Sequence, residues 1–274
     1  MDGLDLEGLR AIAVRVATEA AGEAARLRAA AINDVRTKTT HTDVVTAADT
    51  EVERQLRERL AELRPDDVVL GEEGGFGAGG SNKTASEGDR LCWVVDPIDG
   101  TVNYLYGLPW YTVSVGVTRN GESLAGAVVE PPSGRVWSAS LGGGATLDGM
   151  PLRASGASRL DLSLIGTGFS YHRERRVRQG ELATALMARV RDIRRAGCAS
   201  LDLCAVAAGW LDGYYEHGVN PWDWAAGALI ATEAGAVVHL PDPRAPFGEA
   251  IVAAAPGIGG PLAEALSELG SAEI

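Results

Sequence analysis

Cysteine and histidine are scarce in this chain of 274 residues, which excludes several kinds of metal and disulfide site. The three cysteines, Cys92, Cys198 and Cys204, are an odd number and include no C-x-x-C pair. They predict reduced, buried thiols rather than a disulfide framework or a zinc site. The four histidines are scattered along the chain and do not predict a histidine-rich site. A metal site here would have to be built from oxygen ligands.

Long apolar runs and a targeting segment are also missing. No run reaches the roughly 18 apolar residues that a membrane span needs. Residues 4–30 do not form the uninterrupted apolar core of a signal peptide. Their charged interruptions are Glu7, Arg10, Arg15, Glu19, Glu23 and Arg26. We therefore expect a cytoplasmic protein with no membrane partner.

The chain has few positive charges: it contains 25 Lys and Arg residues but 37 Asp and Glu residues, so its formal net charge is −12. Such a surface repels nucleic-acid phosphates and anionic lipid, so we expect no nucleic-acid partner. The same field would repel an anionic substrate. A phosphate-binding site would therefore need local positive charge, which bound cations can supply.

The periodicity of apolar residues predicts a change of architecture near residue 155. Before it, the sequence predicts an amphipathic N-terminal helix that includes residues 9–27 and a second helix at 49–63. It also predicts a loop or hairpin at 38–46, a short buried strand at 68–70, a surface loop at 74–90, and strands at 91–95, 111–118, 124–130 and 135–140. After it, the sequence predicts strands near 161–167, 192–195, 211–216 and 236–240, with helices near 175–190, 200–209 and 222–235 between them. We predict an α/β protein. Residues 1–155 form an N-terminal α+β subdomain with an antiparallel sheet, and residues 156–274 form a C-terminal α/β subdomain.

The segment Asp96-Pro97-Ile98-Asp99-Gly100-Thr101 follows a buried apolar strand. Its carboxylates could cap a following helix, as Asp often does. Two of them three positions apart, with a rigid proline between, fit oxygen ligands of Mg²⁺ better. A helix that begins near Thr101 would present backbone N–H groups suited to phosphate.

Two further acidic elements are weaker signals on their own. Glu72 and Glu73 end another apolar strand, and the alternative interpretation is a pair of solvated glutamates in a turn. Asp223 lies between two tryptophans, where it could be the N-cap of a helix over residues 225–234.

Taken together, these elements resemble the inositol monophosphatase family. The stretches WVVDPIDGTVNY (93–104) and WDWAAGALIATEAGA (222–236) are similar to its two signature motifs, and GEEG (71–74) to a third acidic element. Lys38 with Asp43-x-x-Thr46-x-x-Asp49 matches the N-terminal element. The resemblance covers nearly the whole chain, and the overall pattern is similar to that of actinobacterial members. It implies a layered αβαβα sandwich of the sugar-phosphatase type, with the site between the subdomains.

The resemblance also implies roles for individual residues. The implied metal ligands are Glu72, Asp96, Asp99, Asp223 and the backbone carbonyl of Ile98, with Asp96 bridging two ions. The implied catalytic residues are Thr101 and Asp49, which would orient and deprotonate the attacking water, and Glu72. The implied substrate contacts are Asp99, Gly100, Thr101, Ala199, Glu216 and Asp223. Within that set, the Gly100 and Thr101 N–H groups would hold phosphate, and Ala199 and Glu216 would contact hydroxyls of a polyol. Lys38 would lie near the metals.

The activity implied is hydrolysis of a small phosphorylated polyol with two or three Mg²⁺ ions, and inositol 1-phosphate is the leading substrate. Val102-Asn103-Tyr104 resembles the inositol monophosphatases, whereas the nucleotide-bisphosphate phosphatases tend to carry Lys-Glu-Phe there. Histidinol phosphate and fructose 1,6-bisphosphate are alternative substrates, and a non-catalytic role with the transcription machinery is an alternative of another class. Glu216 could instead be a surface carboxylate at a strand end. The resemblance further implies a homodimer and inhibition by lithium.

Overall fold

The computed structural model describes residues 4–31, 35–37, 44–77 and 90–274. Lys38, Asp43 and residues 78–89 of the predicted surface loop lie outside the described residues. In the part that is described, no helix combines the length and the apolar character needed to cross a membrane. Cys92, Cys198 and Cys204 are buried free thiols, as expected.

The first sheet has seven strands in the order β3-β4-β5-β6-β7-β8-β9. Their bounds are β3 Val68–Gly71, β4 Cys92–Asp99, β5 Thr112–Arg119, β6 Glu122–Val129, β7 Val136–Ser140, β8 Gly144–Leu147 and β9 Met150–Pro151. The pair β3 and β4 is parallel, and the other pairs are antiparallel. Asn120 and Gly121 join β5 to β6 with φ angles of 54° and 82°. Both are positive, as a two-residue type I′ hairpin turn requires.

Two long helices, α1 (Leu6–Ala31) and α2 (Ala47–Leu63), cover one face of this sheet. Between them, β1 (Val35–Thr37) and β2 (Val44–Thr46) pair as an antiparallel ladder. Apolar side chains recur at helical spacing along α1 and α2 and enter one core with the inner face of the sheet.

The second sheet has five strands in the order β11-β10-β12-β14-β13. Their bounds are β10 Leu164–Thr167, β11 Asp192–Arg194, β12 Gly213–His217, β13 Val237–His239 and β14 Ala250–Ala254. Strand β10 is parallel to β11 and β12, whereas β14 is antiparallel to β12 and β13.

The remaining helices complete five layers. They are α3 Thr101–Tyr106, α4 Arg173–Leu186, α5 Ala199–Ala207, α6 Pro221–Glu233 and α7 Gly259–Glu268. Helices α5 and α6 share a core with both sheets, and α4 and α7 cover the outer face of the second sheet. The order is α1/α2, first sheet, α5/α6, second sheet, α4/α7. This is the predicted αβαβα sandwich. The boundary predicted at residue 155 falls between β9 and β10, and the division into two subdomains stays a prediction because α5 and α6 join both sheets.

Some local predictions were wrong. The strand at 68–70 is only partly buried, because β3 is an edge strand of its sheet, and it makes the sheet mixed rather than antiparallel. Strand β14 and helix α7 were not predicted. Helix α6 begins at Pro221 with Asn220 as its N-cap, so Asp223 is not an N-cap. Helix α3 begins at Thr101 as predicted, but its N-cap is Gly100 rather than an aspartate.

Candidate metal centre

Strand β4 brings two carboxylates to one place. All eight of its residues are buried, as the apolar run predicts for a strand covered on both faces. Residues three apart on a regular strand point to opposite faces of a sheet. The pairing with β5 shifts register between Asp96 and Asp99, and such an irregularity re-aims side chains. As a result, carboxylate oxygens of both residues reach one cluster with an oxygen of Asp223, all within 4.8 Å of one another.

Asp223 reaches this cluster from the first turn of α6. It is the third residue of the helix, and its Oδ2 accepts the backbone N–H of Asn220 at 2.6 Å, which is one arm of a capping box. Pro221 at the first helical position fixes the entry angle of the chain. One oxygen of Asp223 therefore secures the start of the helix.

The electrostatics of the cluster favour a cation. Burial raises the pKa of Asp96 well above its ordinary value of 3.8, and the charges of Glu72, Asp99, Asp223 and Asp49 raise it further. Burial, then Asp99 and Glu72, likewise raise the pKa of Asp223. Without a cation, these buried carboxylates repel one another and favour their neutral forms. A set of carboxylate oxygens without thiolate or imidazole fits Mg²⁺, so the residues present suit that ion.

Asp99 is held by the N-terminus of α5. Its Oδ2 accepts the Ser200 N–H at 2.7 Å and the Ser200 hydroxyl at 2.6 Å, and the Cys198 thiol lies 3.2 Å away. Its Oδ1 accepts the Ala199 N–H at 3.3 Å. Burial raises the pKa of Asp99, and these hydrogen bonds oppose the rise. Thr112 Oγ1 lies 2.7 Å from Ser200 Oγ. When the Thr112 hydroxyl donates to Ser200, the Ser200 hydroxyl is left to donate its single proton to Asp99.

Glu72 lies in the turn that follows β3. Its backbone N–H donates to the carbonyl of Val95 at 3.3 Å, immediately before Asp96. Its charge contributes to the raised pKa of both Asp96 and Asp223, which places the carboxylate near both. Glu72 is partly buried and lines the central cleft, so the alternative of a solvated acidic turn does not describe it.

Asp49 and Thr101 form a hydrogen-bonded pair beside the cluster. The Thr101 hydroxyl lies 3.2 Å from Asp49 Oδ1 and 3.1 Å from the carbonyl oxygen of Ile98. Asp49 is fully buried, and its Oδ2 accepts the N–H and the hydroxyl of Thr46. Thr46 and Asp49 form the capping box of α2, so this carboxylate also secures the start of a helix.

A cleft of about 340 Å³ opens over these residues. The predicted site residues that line it are Glu72, Asp99, Gly100, Ala199, Glu216 and Asp223. Gly100 has a φ angle of 90°, and a side chain there would meet the Trp110 carbonyl at 3.0 Å and Cys198 at 3.3 Å, so the tight turn needs glycine.

Glu216 faces the cleft from the end of β12. The Tyr214 hydroxyl donates to its Oε2 at 2.5 Å, and Gly168 lies so close that a Cβ there would overlap the carboxylate. Burial raises the pKa of Glu216 to about 7, against the opposing effect of Tyr214. It is therefore not a free surface carboxylate.

The structure thus gathers Asp96, Asp99 and Asp223, with Glu72, Asp49 and Thr101 around them. Lys38 lies outside the described residues. Ser200, Tyr214 and Glu53 were not predicted from the sequence. The contacts of Ser200 and Glu53 join separate parts of the chain, whereas Tyr214 contacts Glu216 two residues along the same strand. No short motif signals such contacts, although the position of Ser200 in the first turn of a helix is typical of an anion-binding donor.

Comparisons with known proteins agree with this geometry. The profile of the inositol monophosphatase family matches residues 5–271. The chain is 51% identical over 277 residues to the inositol-1-monophosphatase of Mycobacterium leprae, covering 96% of this chain and 94% of that protein. It is 49% identical to the inositol-1-monophosphatase SuhB of Mycobacterium tuberculosis H37Rv over 97% of this chain and 95% of that protein. The solved structure of M. tuberculosis SuhB superposes with a TM-score of 0.83 at 43% identity, covering 98% of this chain and 100% of that one.

A second group of relatives carries another name. The Nus factor SuhB of Pseudomonas aeruginosa is 39% identical over 200 residues, which are 72% of each chain. The resemblance predicted from the sequence is confirmed by the whole-chain match. This chain belongs to the inositol monophosphatase family, a family of phosphatases.

Proposed function

We propose that the chain is a Mg²⁺-dependent phosphomonoesterase whose substrate is inositol 1-phosphate. One observation carries the proposal: oxygens of Asp96, Asp99 and Asp223, from both halves of the chain, converge within 4.8 Å, and Asp99 and Asp223 line a cleft. Folding alone does not favour such a buried cluster of like charges.

The residues that would hold two or three Mg²⁺ ions are Asp96, Asp99, Asp223, Glu72 and the carbonyl of Ile98. When bound, such ions lower the pKa of the attacking water and neutralise charge on the phosphoryl oxygens and the leaving oxygen. The protein itself keeps the carboxylates at fixed positions before an ion arrives. The hydrogen bonds to Asp99 and Asp223 do this from α5 and α6.

Thr101 and Asp49 would receive the proton of the attacking water. When the Thr101 hydroxyl donates to Asp49 Oδ1, the Thr101 oxygen is left as an acceptor. A water that donates to this oxygen would keep a lone pair with which to attack the phosphorus. Asp49 would take the proton that passes through the hydroxyl.

Gly100 and Glu216 would bind the two ends of the substrate. The N–H groups of Gly100 and Thr101 at the start of α3 would hold the phosphate. Glu216 lies in the same cleft and would accept hydroxyl groups of the polyol, with its carboxylate oriented by Tyr214. Ala199 lines the cleft beside them, but its N–H already donates to Asp99.

The names of the mycobacterial relatives support inositol 1-phosphate over histidinol phosphate and fructose 1,6-bisphosphate. The deciding experiment measures phosphate release from these three substrates, with Mg²⁺ and again after chelation. We expect inositol 1-phosphate to have the highest kcat/KM and chelation to abolish turnover. Turnover without divalent metal would refute the proposed mechanism, and a preference for another substrate would refute the assignment of inositol 1-phosphate. The homodimer and lithium inhibition remain proposals, tested by light scattering and by adding Li⁺ to the same assay.

The name of the Pseudomonas relative supports a second candidate function, a Nus-factor role in transcription. The higher identity to the inositol-1-monophosphatases favours catalysis. An Asp99→Asn protein separates the two functions: loss of phosphatase activity with unchanged binding to transcription proteins would support the second role.

A further inference from the structure

A buried carboxylate outside the metal cluster accepts hydrogen bonds from the turn that carries Glu72. Glu53, on α2, is only 3% exposed. Its Oε2 accepts the backbone N–H of Glu73 at 2.7 Å, and its Oε1 accepts the backbone N–H of Gly74 at 2.8 Å. The two N–H groups that follow Glu72 along the chain are therefore bound to one carboxylate.

Arg57, one helical turn after Glu53, completes the contact. Its Nε donates to Glu53 Oε1 at 2.8 Å, which orients the carboxylate. Its two terminal nitrogens donate to the carbonyls of Val69 at 3.2 Å and Gly75 at 2.6 Å. Glu53 and Arg57 thus hold β3, at Val69, and the far side of the turn to the same face of α2.

Gly71 provides the room for this contact. A Cβ at Gly71 would lie 2.5 Å from the carboxyl carbon of Glu53, although the backbone there is one that any residue can adopt. The atoms that this Cβ would contact belong to the carboxylate of Glu53, at the end of a flexible side chain. A methyl group at position 71 would therefore displace the Glu53 carboxylate rather than break the strand.

The turn held in this way sets the position of Glu72. The Glu72 N–H donates to the Val95 carbonyl, and reciprocal bonds of 2.9 and 3.0 Å join Gly71 and Gly75. These bonds close the turn but do not fix its tilt against α2. The Glu53 carboxylate supplies that constraint together with Arg57: Glu53 binds the next two N–H groups, and Arg57 binds the Gly75 carbonyl.

We propose that Glu53 is a positioning residue of the metal centre. It touches neither the metal cluster nor the cleft, and it acts by holding the turn at the tilt that lets the Glu72 carboxylate reach a cation beside Asp96. This inference rests on the proposed function, because it needs Glu72 to be a metal ligand. It assigns to α2 a role in metal affinity that is separate from its role in the core.

Helix α2 also offers a matched control. Glu51 lies two residues before Glu53 and pairs with Arg54 at 2.6 Å on the exposed face of the helix. A Glu51→Gln change removes the same kind of charge from the same helix without touching the turn. Exposed pairs of this kind contribute little to stability.

The test compares the full-length wild type with Glu53→Gln, Gly71→Ala and Glu51→Gln. Mg²⁺ affinity is measured by calorimetry on chelator-stripped protein, and thermal unfolding is measured without metal. A glutamine at position 53 places an amide donor against one of the two N–H groups, and an alanine at position 71 displaces the carboxylate. Both should weaken Mg²⁺ binding by about 10- to 100-fold, and Glu51→Gln should change it by less than about twofold.

Activity gives a second readout. For Glu53→Gln and Gly71→Ala, the Mg²⁺ concentration needed for half-maximal rate should rise, and saturating Mg²⁺ should restore much of kcat. If both variants unfold at lower temperature but bind Mg²⁺ like the wild type, Glu53 has a purely structural role and the inference is overturned. If Glu53→Gln does not fold, Gly71→Ala decides by the same criterion. A wild type that binds no Mg²⁺ would instead refute the proposed function, and the inference with it.

Discussion

Asp96 and Asp99 lie three residues apart on one strand, and burial raises the pKa of both, yet their hydrogen-bonding surroundings differ. Asp99 is surrounded by donors from α5, with both Ser200 hydrogen bonds to one oxygen and the Ala199 N–H on the other. Asp96, by contrast, receives from the described residues the N–H of Ile98 at 3.0 Å. Its other near neighbours are carboxylates, which raise its pKa further.

This difference separates a carboxylate that is already satisfied from one that needs a cation. Hydrogen bonds to a buried carboxylate favour its charged form, whereas neighbouring negative charges disfavour it. Asp99 therefore has a defined orientation in the metal-free protein. Asp96 provides the main electrostatic demand for a metal ion.

Among the variants that test the difference between Asp96 and Asp99, Asp96→Asn is expected to have the largest effect. Removing the charge should abolish the several kcal/mol that bound metal contributes to the transition state, which corresponds to roughly a 10³-fold loss of kcat or more. The same change relieves repulsion among buried carboxylates. We therefore expect the metal-free variant to be more stable than the wild type by about 1–2 kcal/mol, as measured by urea unfolding.

Asp99→Asn is the matched variant on the same strand. It should also lose activity, but its amide would face the donors of Ser200 and Ala199. The metal-free protein should therefore lose about 1–3 kcal/mol of stability. If both asparagine variants shift metal-free stability in the same direction, the distinction between Asp96 and Asp99 is wrong.

An intermediate effect is expected from Ser200→Ala. Asp99 would keep the backbone N–H of residue 200 but lose the hydroxyl donor, so its carboxylate would be less well oriented toward a metal ion. We expect Mg²⁺ affinity to fall by about tenfold, measured by calorimetry. Cys198→Ser keeps a donor beside Asp99 and serves as the control. If Ser200→Ala and Cys198→Ser lowered Mg²⁺ affinity equally, the Ser200 hydroxyl would have no particular role in orienting Asp99.

A pH-dependent effect is expected from Glu216, whose surroundings are intermediate between those of Asp96 and Asp99, because Tyr214 donates a hydrogen bond to it while the charge of Asp99 repels it. Its pKa rises from 4.5 to about 7, and Arg195 opposes this rise. Between these pH values the native protein keeps a proton that the unfolded chain releases, so stability falls as pH rises through this window and is level above it. Relative to Glu216→Gln, the metal-free wild type should lose about 2–3 kcal/mol from about pH 4.5 to 7. A difference that is independent of pH would contradict the raised pKa.

The sequence was informative where short segments determine structure. The apolar run before Asp96 predicted β4, and Asn120-Gly121 predicted its hairpin turn. Strand β14 was missed because its alanine-rich sequence has low strand propensity, and pairing with β12 and β13 overrides that preference.

The site was predictable only where motif residues themselves form it. The structure places Asp96, Asp99 and Asp223 together, and the roles given to the individual residues stay predictions. Ser200 and Glu53 could not be found in this way, because each acts on a group far away in sequence. Ser200 contacts Asp99 across 101 positions of the chain. Only the fold reveals such pairs.

The two capping boxes link chemistry to helix formation. Asp49 and Asp223 each use one oxygen to close the first turn of a helix, α2 and α6 respectively. A chain in which either helix frays at its start would lose that carboxylate from the site at the same moment. Substitutions at these two positions are therefore expected to affect helix formation and turnover together.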